Sequence, residues 1–132
     1  MTFYQLLISR QWNKAKKAIS EDVSLVDTIF PDGKTILMKS LQEDSPCMTR
    51  FLLENGADVN IQDKEGFTVL MIHLSEFHSY PRELFKNFLC TLLSVPHDLK
   101  IENNYGYNIR GVISLDADLE EFIYELQSQR DD

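Results

Sequence analysis

The chain is poor in the residues that most often carry chemistry. Its 132 residues include two cysteines, Cys47 and Cys90, and no CxxC pair, so neither a cysteine zinc site nor a disulfide framework can be drawn. Each cysteine stands among apolar neighbours with a helical look, where a free thiol behaves as a small buried hydrophobe. The histidines are His73, His78 and His97. His73 and His78 are five positions apart, not the i, i+4 of a helical metal pair, and His73 reads as a surface or hydrogen-bonded side chain. Asp58, Asp63 and Glu65 do not follow the spacing of a calcium loop. No nucleophile elbow, phosphate loop or dinucleotide fingerprint occurs. The sequence therefore suggests no enzyme, no catalytic residue, no cofactor and no metal.

Other scarcities narrow the class further. No apolar run reaches the roughly 18 residues of a membrane span. The apolar segment 1–10 lacks a basic leader and a cleavage site, so it reads as a helix of the fold in a cytoplasmic protein with no membrane contact. Bases are few: 13 Lys and Arg against 21 Asp and Glu leave a net charge of -8. Such a surface repels phosphate backbones, which argues against a nucleic-acid partner and would attract a basic protein. Acidity also simply keeps a protein soluble. Lys14, Lys16 and Lys17 form the one basic cluster and read as a solvated helix face. With 43% hydrophobic residues and few Gly and Pro, the chain has the composition of one ordered domain.

What is present is a repeat. The segment Asp32-Gly33-Lys34-Thr35-Ile36-Leu37-Met38 returns 33 positions later as Glu65-Gly66-Phe67-Thr68-Val69-Leu70-Met71. Between the copies, Ser45-Pro46 is a helix start and Met48, Phe51 and Leu52 share one face. Gly56 follows as a left-handed helix stop, and 58–68 is polar, as a projecting loop would be. The unit is helix, turn, helix, loop. It cannot bury its apolar face alone and needs stacked neighbours.

The run Leu52-Leu53-Glu54-Asn55-Gly56-Ala57-Asp58-Val59-Asn60, continuing to Asp63, Gly66 and Thr68, resembles the ankyrin repeat signature LLxxGADVNxxDxxGxT. The resemblance implies an all-α ankyrin-repeat solenoid of about four helix-turn-helix repeats with projecting hairpin-like loops. Residues 1–29 form an N-terminal capping repeat, 30–62 a full repeat, 63–102 a repeat with a seven-residue insert, and 103–132 a C-terminal capping repeat. The family's TPLH motif has lost its proline and histidine in both copies, which removes an expected Thr–His hydrogen bond. The insert, around 76–82, reads as an extended loop. Pro96 stands where Gly56 stood, so the helix before it must end differently. Segment 103–108 is a degraded copy of 63–68. A last helix follows Asp116 with Leu119, Phe122, Ile123 and Leu126 on one face, and the tail at 130–132 is expected to fray.

By the same resemblance, partners sit on the concave side, against loop tips and inner helices. The matching positions are Asp32 and Lys34, Gln42 and Glu43, Lys64, Glu65 and Phe67, Glu76, and Asn104, Tyr105 and Tyr107. The insert adds Phe77 and Tyr80 as a second candidate surface. Aromatic side chains at such positions are the usual carriers of binding energy. The function implied is a non-catalytic protein-protein interaction module, monomeric when free. The alternative is a dedicated cytosolic inhibitor, such as an immunity protein that neutralises a toxin enzyme through its acidic surface.

Overall fold

The computed structural model describes residues 2–130. Among these there are eight α-helices and no strand; an isolated bridge between Ile29 and Thr35 comes nearest to one. The helices pair in order: α1 (Phe3–Ile8) with α2 (Trp12–Glu21), α3 (Ile36–Ser40) with α4 (Cys47–Glu54), α5 (Val69–Ser75) with α6 (Arg82–Leu92), and α7 (Ile109–Ser114) with α8 (Ala117–Arg130). Inner helix α3 stacks on α5 and α5 on α7, while α4 stacks on α6. This is the expected solenoid of helix pairs. Arg130 ends α8, and the rest of the tail expected to fray, Asp131 and Asp132, lies outside the described residues.

The sequence reasons for the helix starts are visible. Thr35 and Thr68 each accept a hydrogen bond from the backbone N–H three residues on, at 3.2 and 3.4 Å, and Asn108 does the same for Gly111 at 3.0 Å. The cap therefore survives without the proline. In the first copy the sulfur of Met38 accepts from the Thr35 N–H at 3.5 Å, a bond made without the family's histidine. Gly56 adopts φ +86°, the left-handed stop expected after α4. There the Ala57 N–H reaches back to the Leu52 carbonyl at 3.0 Å. Where Pro96 replaces that glycine, the ring of His97 takes over, its Nε2 lying 2.6 Å from the Leu92 carbonyl.

The core runs continuously along the stack, from Leu7 and Ile19 through Ile36, Leu52, Met71 and Phe88 to Leu119. Three expectations need correction. Cys47 and Cys90 are exposed, not buried. The buried faces of their helices are Met48, Thr49, Leu52 and Leu53, and Phe85, Phe88, Leu89 and Leu92; apolar neighbours in sequence do not place a residue on the apolar face of a helix. The insert is not an extended loop: Phe77–Ser79 is a 3-10 turn. Phe77, offered as a binding side chain, is fully buried, edge-on to Phe85 at 4.9 Å and 5.2 Å from Phe122, with the Arg82 guanidinium 3.8 Å from its ring centre. The extra residues plug the joint between the third helix pair and α8. Of the two places expected for His73, surface or hydrogen-bonded, the structure shows the second. The side chain is buried, stacked on Phe85 at 4.3 Å, and makes one hydrogen bond, from Nε2 to the Phe85 carbonyl at 3.0 Å.

Candidate functional site

Three turns project from the ends of the inner helices, and their local chemistry is the same. In each, the first residue's N–H donates to the carbonyl of the fifth: Phe30 to Lys34, Asp63 to Phe67, Asn103 to Tyr107. Asp63 Oδ1 accepts from the N–H groups of Glu65 and Phe67, both at 2.9 Å. Asn103 Oδ1 repeats this for Tyr105 and Tyr107 at 2.9 and 3.0 Å, so the copy that looks degraded in sequence keeps its bonding. The first turn has Phe30 in place of the acid, and Asp32 accepts from the Lys34 N–H instead, at 3.0 Å.

The turns are then fastened to one another. Lys34 Nζ lies 3.1 Å from Asp63 Oδ2. Lys64 drapes over Gly33. Asn104 donates from its backbone to the Glu65 carbonyl and from its side chain to the Lys64 carbonyl, both at 2.9 Å. Behind the tips, the Asp58 N–H donates to Asp27 at 2.8 Å and the Asp98 N–H to Asn60 at 3.0 Å, one rung per repeat. The row of tips is thus held in register before any partner arrives, which lowers the ordering cost of binding.

Lys34 is taken up in its ion pair with Asp63, and the other sequence-derived site residues fall into three groups. Phe67, Tyr105 and Tyr107 come together. With Leu74 and Ser75 from the end of α5 and Leu115 after α7, they line an apolar groove of about 320 Å³. Phe67 meets Tyr105 edge-on at 6.3 Å, while Tyr105 and Leu115 are each 64% exposed, so part of the groove wall is apolar surface left open above the core. Lys64, Glu65 and Asn104 flank it on the tips. The second group is Asp32, Gln42 and Glu43, which with Tyr4, Ile8 and Phe30 line a groove of about 390 Å³ beside α1. Asp32 is engaged by Lys39 at 2.6 Å, and that ion pair, with the Lys34 N–H, holds its carboxyl below the usual range. Glu43 accepts from the Trp12 indole N–H and meets Arg10 at 3.3 Å. In the third group, the Tyr80 hydroxyl donates to the Leu41 carbonyl at 2.7 Å and lies 3.2 Å from Glu76. Burial, and then the Glu76 charge, raise the Tyr80 pKa to about 12. Tyr80 and Glu76 thus brace the insert, apart from the aromatic groove.

Leu115, Tyr4, Ile8 and Phe30 were missed from sequence. A signal existed for Leu115: it aligns with Ser75, 40 positions back, and with Gln42, 33 further back, the position already singled out in the first repeat. For Ile8 there was none, because it breaks the apolar spacing of its short helix.

Comparison with known proteins agrees with this architecture. The ankyrin repeat family model matches residues 32–64. Over 70 residues, 53% of the chain, the sequence is 33% identical to ankyrin repeat protein 14 of vaccinia virus (strain Western Reserve) and 33% identical to the ankyrin repeat domain-containing protein OPG023 of monkeypox virus. Those stretches span 27% and 10% of the respective relatives. Among solved structures, the crystal structure of EF0377, an ankyrin repeat protein, superposes with a TM-score of 0.66 at 20% identity, covering 80% of this chain and 50% of that one.

Proposed function

Because this chain belongs to the ankyrin repeat family, whose repeats are generally protein-interaction modules, we propose that it holds a partner protein on its concave side, in the groove between Phe67, Tyr105, Tyr107 and Leu115. The observation that carries this reading is the convergence of three aromatic side chains from two loop tips over one apolar groove. Such a groove accepts an apolar anchor side chain, and the fastened tips supply backbone and polar groups around it. The reading is one of binding and invokes no catalytic step.

The acidic balance favours a second, narrower reading: an inhibitor that covers a basic active site, as an immunity protein would. Among the described residues no helix is long and apolar enough to cross a membrane. Two exposed free thiols fit a reducing compartment such as the cytoplasm, and we place the protein there.

The test is capture of the partner from the native host by wild type and by Phe67→Ala/Tyr105→Ala, read by mass spectrometry beside circular dichroism. The double variant should lose about 30-fold or more in affinity while keeping its helical spectrum. Undiminished capture by a folded double variant would remove the groove from the binding surface.

A further inference from the structure

Spacing along the chain gives the histidines no metal partners, but folding brings two carboxylates to one of them. His78 lies in the 3-10 turn of the insert, and Asp116 and Asp118 lie at the head of α8. His78 Nε2 is 2.7 Å from Asp116 Oδ2. One ligand atom from each of His78, Asp116 and Asp118 falls within 4.8 Å of the other two. Both elements are anchored from below: Phe77, next to His78, is buried against Phe85 and Phe122, and Leu119 of α8 is 1% exposed. Asp116 Oδ1 accepts from the Asp118 and Leu119 N–H groups at 3.0 and 3.2 Å, which turns Oδ2 to the imidazole. An imidazole and one carboxylate would make a simple ion pair. Asp118 is the addition: its carboxylate forms no ion pair among the described residues. Arg82, which lines a cleft with Asp118, keeps its guanidinium on the Phe77 ring and does not neutralise it.

We propose that His78, Asp116 and Asp118 bind a zinc ion, in place of the absence of metal expected from sequence. Zinc bonds of about 2.1 Å set tetrahedral donors about 3.4 Å apart, so closing on the ion takes a shift of no more than about 1.4 Å. His78 and Asp118 are exposed and can rotate that far. One imidazole nitrogen with two carboxylates suits zinc, whereas calcium and magnesium favour sets of oxygen ligands. Three protein donors leave one position for water. Asp116 also lines the aromatic groove, so the ion sits at the rim of that groove and joins the insert to α8. The site does not depend on the function proposed for the groove.

Isothermal titration of zinc chloride into the whole chain tests this. Cys47→Ser/Cys90→Ser serves as the background, because exposed thiols also take zinc. One equivalent should bind. His78→Ala and Asp118→Ala, both at exposed positions, should each weaken binding about tenfold or more, with circular dichroism unchanged. Calcium or magnesium in large excess should leave the zinc isotherm in place. Absence of zinc binding overturns the proposal. So does binding indifferent to His78→Ala and Asp118→Ala, and so does displacement by calcium, which would mark a general attraction of cations to an acidic surface.

Discussion

Burial of His73 against Phe85, Phe88 and Tyr80 makes its charged form costly. Desolvation lowers its pKa to about 4, against a small opposing effect of the hydrogen bond to the Phe85 carbonyl. With the Nε2 proton committed to that carbonyl, Nδ1 is the bare nitrogen, and it has no partner. Adding a proton there would create a buried donor without an acceptor. The folded state thus binds fewer protons than the unfolded chain between pH 6.5 and about 4, and stability must fall as pH drops through that window. Urea unfolding at pH 7 and near pH 4.5 should show wild type losing up to about 3 kcal/mol across the window. His73→Phe should flatten that loss. An equal loss in the variant would assign the acid sensitivity elsewhere. Sequence could not disclose this environment, because the residues that enclose His73 come from the insert and from α6, whose approach depends on the turn the insert adopts.

At the scale of elements, the glycines that end helices and close turns are not equivalent. Gly56 and Gly66 share a left-handed backbone, at φ +86° and +83°. A methyl group on Gly56 would meet nothing within 4 Å, so alanine there costs the backbone strain alone, about 1–2 kcal/mol. On Gly66 it would lie 2.7 Å from the Asn104 backbone nitrogen and 2.9 Å from the Asn103 Cα. Gly66→Ala should therefore destabilise clearly more than Gly56→Ala in chemical denaturation. Equal losses would mean the neighbouring turn yields freely. The helix pairs and the 33-residue period were legible because caps, stops and apolar spacing are local. The burial of Phe77 was not, since the insert has no counterpart in the other repeats. The aromatic groove was legible in part: alignment brings Phe67, Tyr105 and Tyr107 to the tips, but only the folded turns show that the three side chains share one wall.

For the whole molecule, the net charge of -8 bears on how partners arrive more than on how tightly they are held. If the partner is basic, its association rate should fall by about tenfold or more from low salt to high salt, while dissociation changes little. Surface-captured protein in a salt series checks this. A rate indifferent to salt would argue for an uncharged target and weaken the inhibitor reading.

The rungs from Asp58 to Asp27 and from Asp98 to Asn60 each join only adjoining repeats. The core is passed along in the same way, layer to layer. Such a molecule opens layer by layer, as a stack of coins slides apart. The aromatic groove draws its walls from the third and fourth layers. Its hold on a guest is therefore tied to the soundness of the joint between those two layers, and an occupant seated there would steady that joint in turn.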